Sequence, residues 1–131
     1  MAGNAPLAGP GKTVAVIGAT NDRAKFGNKS VRAHLKAGYM VYPVHPRETT
    51  VEGLPVFKSI RDVPNVDRIT VYIPPGALLQ ILPDIAAKQP KEFFLNPGTE
   101  SPEVLEKARA LGLQPIQACS IVDLGYASSH F

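Results

Sequence analysis

The sequence has few of the residues that build disulfide-bonded or metal-bound scaffolds. Cys119 is the only cysteine, which excludes an intramolecular disulfide and a cysteine-rich metal site. The three histidines, His34, His45 and His130, form no pair with metal-binding spacing such as H-x-x-x-H. We therefore expect no metal centre. A chain of 131 residues is long enough to bury an apolar core without such staples.

Long apolar runs are also missing. No run approaches the roughly 20 residues that a bilayer span requires. The start of the chain, MAGNAPLAGPG, lacks the basic flank and apolar core of a secretion signal. We therefore expect a cytoplasmic protein that forms one domain over residues 1–131, with residues 1–11 flexible and residues 123–131 as a C-terminal tail.

The sequence shows no catalytic constellation. No nucleophile elbow of the G-x-S-x-G kind occurs, and Ser128, Ser129 and His130 lie together in the tail. Cys119 follows the last predicted strand without an activating neighbour in sequence, which favours a structural thiol over a nucleophile. These absences indicate a binding protein rather than an enzyme.

Basic residues are concentrated in one part of the chain. The formal net charge is +3, but residues 12–47 contain seven Lys and Arg residues against the single acid Asp22. The remainder contains seven basic and ten acidic residues. This distribution indicates a local anionic ligand rather than a nucleic-acid surface, and a solvated helix face is the alternative explanation.

Strand patterns recur along the chain. Short apolar, β-branched runs predict buried parallel strands at 13–18, 40–44, 68–73 and 92–95, with a last strand in LQPIQAC. Residues 54–57, LPVF, predict a short edge strand beside the second strand. The expected fold class is therefore α/β, a single Rossmann-type doubly wound parallel sheet with strand order 3-2-1-4-5-6.

Helical patterns lie between these strands. Residues 28–36 predict a helix that Gly38 closes as a C-cap. Ser101 is a predicted N-cap, with Pro102 at the first helical position. Pro83 is expected to kink or break the helix that begins at PPGALL.

In such sheets, ligands bind outside the carboxyl ends of the strands at the switch point. Here this point lies between the strands that end at Gly18 and Ile73. It brings together four segments: 18–28, 45–47, 74–76 and 96–99.

The first strand is followed by too few glycines for a dinucleotide fingerprint. Gly18 is followed by ATN, and the next glycine is Gly27, so G-x-G-x-x-G is absent. The second strand ends at His45, Pro46 and Arg47, where an NAD site would place an acid for the ribose. The sequence therefore lacks both the glycine pattern and the acid of the NAD-binding fingerprint.

The loop after Gly18 has the composition of a phosphate site. It carries the donors Thr20 and Asn21 and the cations Arg23 and Lys25. It leads into a helix N-terminus, whose free N–H groups and dipole favour anions. A phosphate-rich ligand that needs no acidic partner fits this loop better than NAD does.

Two further features narrow the ligand. Arg47 stands where NAD enzymes keep an acid, and a cation there suits the extra ribose phosphate of NADP or CoA. An ordinary exposed arginine is the alternative. Pro74 and Pro75 open a helix, and they also offer an apolar wall against which an adenine ring or a pantetheine arm could lie.

Several stretches, in this order, resemble a known family. VAVIGATND, GYMVYPVHP, EGLPVFKSI, VDRITVYIPP, LNPGTESPEVLEKARALGL and QACSI together resemble the small stand-alone CoA-binding proteins. They also resemble the amino-terminal CoA-binding domain of the succinyl-CoA synthetase α subunit. The resemblance covers residues 12–122 and implies one CoA-binding domain with CoA or acyl-CoA at the switch point.

The resemblance also implies site residues. In that family the loop after the first strand surrounds the CoA phosphates, the segment after the second strand lies near the adenosine, and the proline-containing strand end borders the nucleotide. An NPG turn lies at the far side of the crevice. By this resemblance the cofactor-binding residues are Gly18, Ala19, Thr20, Asn21, Arg23, Lys25, Asn28, Pro43, His45, Pro46, Arg47, Ile73, Pro74, Pro75, Asn96, Pro97 and Gly98.

The sequence departs from these relatives in places. His45 stands where many relatives have asparagine, and the turn at Asn96 differs from the glutamate-containing turn of the synthetases. Their phosphohistidine lies in a later domain outside these residues, so the resemblance implies CoA binding without ligase chemistry. Two alternatives stay open: an NADP-dependent oxidoreductase or its vestige, and a regulatory adaptor with a protein partner. A homo-oligomer also stays open, whereas nucleic acid and membranes are not expected partners.

Overall fold

A computed structural model describes residues 12–131 of the chain. It contains seven strands: β1 (Thr13–Ile17), β2 (Met40–Val44), β3 (Thr50–Val51), β4 (Leu54–Pro55), β5 (Arg68–Val71), β6 (Glu92–Leu95) and β7 (Pro115–Gln117). Five of them form one parallel sheet in the order β2-β1-β5-β6-β7. This confirms the predicted α/β, Rossmann-type class. The expectation that residues 1–11 are flexible concerns residues outside the described part.

Helices cover both faces of the sheet. They are α1 (Phe26–Lys36), α2 (Pro75–Lys88), α3 (Pro102–Ala110) and the short α4 (Ser120–Asp123), with 3₁₀ turns at Ile60–Asp62 and Ser128–His130. The predicted caps are confirmed. The Ser101 hydroxyl accepts a hydrogen bond from the Val104 N–H at 3.1 Å, and Gly38 follows α1 with φ 91°.

The side chains of β1 show why the sheet is buried on both faces. Ala15 and Ile17 point into an apolar cluster with α2 and α3, whereas Val14 and Val16 point into a second cluster with α1. All four are at most 3% exposed. Because successive residues of a strand face opposite ways, a nearly continuous apolar run predicts this arrangement.

The predicted edge strand at residues 54–57 is reduced to a single bridge. β4 pairs antiparallel with β3 instead, around a two-residue turn in which Glu52 and Gly53 have φ values of 50° and 78°. Two left-handed residues are the requirement of a tight type I′ hairpin. Within residues 54–57, only Phe57 forms a hydrogen-bonded bridge to β2: its N–H donates to the Pro43 carbonyl at 2.9 Å, and its carbonyl accepts from the His45 N–H at 3.0 Å.

Helix α2 runs without a break through Pro83, so the predicted interruption is wrong. Proline lacks the N–H that would bond the carbonyl of Leu79, four residues earlier. Lys107 of α3 donates its Nζ to that carbonyl at 3.0 Å. The neighbouring helix thus satisfies the acceptor that the proline leaves free, and the apolar side of α2 stays packed on the sheet.

A buried arginine ties together the sheet and the last helix. Arg68 is 3% exposed, and its guanidinium bonds Glu92 Oε1 at 3.0 Å and Asp123 Oδ2 at 2.7 Å. Its Cζ lies 4.6 Å from the centre of the Phe94 ring. A charge this deep requires such pairing, so breaking one of these bonds leaves a costly unpaired group.

His34 is buried beside this arginine in its neutral form. Its Nδ1–H donates to the Ser30 carbonyl at 2.8 Å, which leaves Nε2 as an acceptor facing Arg68 Nη1 at 3.4 Å. Burial, opposed by the Ser30 bond and assisted by the charge of Arg68, lowers the pKa of His34 from 6.5 to about 4. The folded protein therefore resists protonating a group that the unfolded chain protonates readily.

We expect His34 to make the protein sensitive to mild acid. Between pH 6.5 and about 4 the unfolded chain binds the proton and the folded protein does not, so stability falls as pH falls through this window. Linkage predicts a loss of about 2 kcal/mol between pH 7.5 and 5. Urea unfolding at both pH values measures it. His34→Gln, which stays neutral, should remove most of this pH dependence of the free energy of unfolding. An unchanged pH dependence in this variant would contradict its attribution to His34.

The C-terminal residues lie against α1. Lys36 Nζ is 5.3 Å from the centre of the Tyr126 ring and 5.9 Å from that of Phe131, and the two rings contact each other edge to face at 5.6 Å. The tail therefore covers part of the basic face of α1.

No helix of residues 12–131 has both the length and the apolarity that crossing a bilayer demands.

Candidate functional site

Two glycines bring the start of α1 against the end of β1. Gly18 has φ 92°, and a Cβ there would lie 2.7 Å from the Tyr72 carbonyl oxygen. A Cβ on Gly27 would lie 2.2 Å from the Gly18 carbonyl oxygen. In a dinucleotide fingerprint one glycine makes the tight turn and another allows close helix packing. Gly18 and Gly27 perform these two tasks here, nine residues apart, and sequence reasoning missed the second.

The loop between these glycines is held by two carboxylates. Glu48 Oε2 accepts from the Asn21 N–H at 2.9 Å and from the Thr20 hydroxyl at 3.4 Å. The backbone bond from Asn21 is the main cause that lowers the pKa of Glu48. Arg23 pairs with Glu52 at 3.3 Å. The loop is therefore ordered by acids that follow β2, and much of its polar capacity is already used.

Two adjoining cavities open at the carboxyl ends of β1, β2 and β5. The central cavity, about 500 Å³, is lined by Gly18, Thr20, Ala24, Lys25, Phe26, Gly27, Tyr72, Ile73, Pro74, Pro97, Gly98 and Thr99. The basic cavity, about 490 Å³, is lined by Ile17, Gly18, Thr20, Lys25, Val44, His45, Pro46, Arg47, Lys58, Ser59, Ile60, Tyr72, Ile73, Ala77 and Ile81. They share five residues, so together they form one crevice at the predicted switch point.

The charge lining this crevice has one sign. Lys25, Arg47 and Lys58 reach it, and within residues 12–131 none of them has an ion-pair partner. In the described part of the chain, no aspartate or glutamate lines either cavity. Unpaired cations around a concave surface raise the local concentration of anions.

Two helices begin at the crevice. The N–H groups of Phe26 and Gly27 in α1 have no acceptor within residues 12–131, and neither α1 nor α2 carries an acid in its first turn. The N-cap residues of these helices, Lys25 and Pro74, line the central cavity. Free N–H groups and the positive ends of the helix dipoles favour a phosphate at this point.

His45 shapes the turn that presents Arg47. Its Nδ1 accepts from the N–H groups of Arg47 at 3.0 Å and Glu48 at 3.1 Å, so the ring proton lies on Nε2. An asparagine carbonyl oxygen could accept the same two bonds in an Asx-type turn. Histidine can therefore hold this turn in the way that an asparagine would.

The structure brings together most of the sequence-predicted site residues, but not all. Those that line the crevice are Gly18, Thr20, Lys25, His45, Pro46, Arg47, Ile73, Pro74, Pro97 and Gly98. Those that do not line it are Ala19, Asn21, Arg23, Asn28, Pro43, Pro75 and Asn96. Most of this second group support the crevice: Asn28, for example, is fully buried and donates Nδ2 to the Thr20 carbonyl at 2.8 Å.

The predicted concentration of positive charge divides between two places. Lys25 and Arg47 lie at the crevice, whereas Lys29 and Lys36 extend along α1 over aromatic rings. Arg32 donates to Asn28 Oδ1 at 2.7 Å. Part of this positive charge therefore faces the crevice, and the rest lies along the surface of α1.

Sequence reasoning missed Lys58 and Tyr72 as lining residues. Lys58 follows Phe57, whose bridge to β2 brings Lys58 to the same cavity as Arg47. Tyr72 lines both cavities, and its hydroxyl bonds Ser120 Oγ at 2.9 Å. The repeated basic character of HPR and FKS, on two segments that meet at the sheet edge, was the available signal for Lys58.

A third, small space adjoins the central cavity. This end cavity, about 90 Å³, is lined by Phe26, Tyr72, Asn96, Pro97 and Cys119. Asn96 is 2% exposed and fully engaged: it donates to Thr70 Oγ1 and the Val71 carbonyl and accepts from the Ser120 N–H. Cys119 is half-buried here rather than fully buried as a structural thiol would be.

A family model described as "CoA binding domain" matches residues 12–125. The chain is similar to the ADP-forming acetate–CoA ligase II subunit alpha of Pyrococcus furiosus, with 38% identity over 78 residues, 57% of this chain. The match spans 17% of the length of that relative.

Solved structures of small proteins share the fold along their length. A conserved hypothetical protein from Pyrococcus furiosus superposes with a TM-score of 0.78 at 30% identity, covering 86% of this chain and 98% of that one. A protein from Thermus thermophilus superposes with a TM-score of 0.78 at 31% identity, covering 86% and 87%. The architecture thus occurs in proteins of similar size as well as within longer ones.

Proposed function

Because the chain belongs to the CoA-binding domain family, we propose that it binds CoA or an acyl-CoA in the crevice formed by the central and basic cavities. The observation that carries this proposal is that Lys25, Arg47 and Lys58, which have no ion-pair partner within residues 12–131, surround a crevice with no acid among its described lining residues. CoA carries both a pyrophosphate and a ribose 3′-phosphate, which suits a crevice that has Lys25 where the cavities meet and Arg47 and Lys58 in the basic cavity.

The proposed arrangement assigns each part of CoA to a part of the crevice. The pyrophosphate lies where the two cavities meet, beside Lys25 and the free N–H groups of Phe26 and Gly27. The 3′-phosphate lies in the basic cavity, within reach of Arg47 and Lys58. The pantetheine arm follows the central cavity past Pro74 and Pro97.

The arrangement supplies binding and orientation. Within residues 12–131, no group of three or more His, Cys, Asp or Glu side chains is placed to hold a metal ion. Glu48, the acid that follows β2, is engaged with Asn21 and does not line the crevice, which disfavours a nicotinamide dinucleotide whose ribose seeks an acid. We therefore propose that the chain presents or retains CoA.

Thermal unfolding with and without CoA tests this proposal. At CoA about 100-fold above its Kd, linkage predicts roughly 2.7 kcal/mol of added stability, which for a domain of this size is a rise in Tm of roughly 10 °C. Lys25→Ala should weaken binding about tenfold, since one charge-assisted contact is worth about 1.4 kcal/mol or more, and should roughly halve the added stability.

Lys36→Ala is the matched control. It removes the same charge from the other end of the same helix, where the residue contacts Tyr126 and lines neither cavity. We expect it to keep the full response to CoA. No response of the unmodified protein to millimolar CoA would refute the proposal, and equal losses in the two variants would remove Lys25 from the site.

A further inference from the structure

The end cavity, lined by Phe26, Tyr72, Asn96, Pro97 and Cys119, is not used by the arrangement above. We propose that it receives the acyl group of an acyl-CoA, that it favours uncharged acyl groups, and that acyl chains longer than about four carbons gain no further affinity from it. This inference rests on the proposed CoA site and goes beyond it by naming the class of acyl group.

The position of the end cavity supports this assignment. The basic and central cavities share residues around Gly18 and Lys25, and the central and end cavities share Phe26, Tyr72 and Pro97. The three spaces therefore follow one another across the carboxyl edge of the sheet. CoA is a linear molecule with its 3′-phosphate near one end and its thiol at the other. With the 3′-phosphate in the basic cavity, the thiol and its acyl group approach the end cavity.

The size of the end cavity limits the acyl group. Its volume of about 90 Å³ is that of roughly three water molecules in the liquid, at about 30 Å³ each. An acetyl group fills that space. Propionyl and butyryl groups need a small displacement of the wall, which Phe26 can provide because its side chain is 53% exposed. A chain of eight carbons must extend into solvent.

The chemistry of the walls selects against charge. Among residues 12–131, no Lys, Arg or His lines the end cavity, and the amide of Asn96 has its donors and acceptor occupied. The Tyr72 hydroxyl is bonded to Ser120, and burial raises the pKa of this phenol, so it stays uncharged. A carboxylate that entered would lose its water without gaining a partner. Dicarboxylic acyl groups such as succinyl should therefore be excluded.

Titration calorimetry with a series of thioesters tests the inference. We expect affinity to rise by up to about fourfold for each methylene from acetyl-CoA to butyryl-CoA, the increment of a fully buried methylene, and to rise no further at octanoyl-CoA. Succinyl-CoA should bind at least tenfold more weakly than butyryl-CoA. Equal affinities for CoA and butyryl-CoA, or succinyl-CoA as tight as butyryl-CoA, would overturn the inference.

One variant in the end cavity and one control outside it separate an effect on acyl binding from an effect on CoA binding as a whole. Cys119→Met adds volume, so the ratio of butyryl-CoA to CoA affinity within that variant should fall to about one. Val122→Met, at a 62% exposed position that lines none of the three cavities, should keep the ratio of the unmodified protein. If no CoA compound binds, the proposed function fails and this inference with it. If CoA binds and all the acyl-CoA compounds bind with the same affinity as CoA, this inference alone fails.

Discussion

Replacing Gly27 with alanine should lower the free energy of unfolding by about 3 kcal/mol, the upper end of the cost of overpacking a well-packed site. The added Cβ would lie 2.2 Å from the Gly18 carbonyl oxygen and 3.1 Å from its carbon. These are backbone atoms at the end of a central strand, so they cannot relieve the clash by a change of rotamer as a side chain could. Either α1 must move away from β1 or the turn after β1 must distort.

Gly76 provides the matched control for this substitution. Gly27 and Gly76 each occupy the second position of a helix, in α1 and α2, but nothing lies within 4 Å of a Cβ built on Gly76. Gly76→Ala should be neutral or stabilising by up to about 1 kcal/mol, because alanine reduces the freedom of the unfolded chain. Urea unfolding of both variants measures the difference. Equal stabilities would show that the packing of α1 on Gly18 is not constrained as described.

The second large effect concerns the ribose phosphate. If Arg47 and Lys58 meet the 3′-phosphate, CoA should bind roughly 5- to 100-fold more tightly than dephospho-CoA, since a charge-assisted contact contributes about 1.5–3 kcal/mol before solvent screening. Arg47→Ala and Lys58→Ala should each reduce this difference in affinity, because each should weaken the binding of CoA but not that of dephospho-CoA. Lys25→Ala should weaken both ligands about equally, because both contain the pyrophosphate.

Arg23→Ala distinguishes this account from one based on loop charge alone. Arg23 lies in the same loop as Lys25, but its guanidinium pairs with Glu52 and lines neither cavity. We expect this variant to change the affinity for either ligand less than Lys25→Ala does. A larger effect at Arg23 would mean that the loop rearranges around the ligand.

The fold was predictable because its central strands, β1, β5 and β6, are buried on both faces. The nearly continuous apolar runs of β1 and β2 are typical of a covered parallel sheet, and their alternation with amphipathic helices indicates the doubly wound arrangement. The short hairpin of β3 and β4 was not predictable in this way. Two-residue strands are too brief to show a period, and their pairing depends on the backbone at Glu52 and Gly53.

The place of the site was predictable, whereas several of its contacts were not. Strand ends at a switch point identify a crevice from topology alone. The contact between Gly18 and Gly27, the carboxylate of Glu48 on the loop and the position of Lys58 all join residues that are distant in sequence. Single-sequence patterns report neighbours along one element, so such contacts appear only when the elements are assembled.

Titration calorimetry of the unmodified protein with CoA and with dephospho-CoA tests the central claim most directly. The account predicts that CoA binds, and that loss of the 3′-phosphate weakens binding by roughly 5- to 100-fold at moderate salt. NADP, which carries its extra phosphate at the 2′ position and has no pantetheine arm, should bind more weakly than CoA. Equal affinity for CoA and dephospho-CoA would remove Arg47 and Lys58 from the site, and tighter binding of NADP than of CoA would contradict the proposed function.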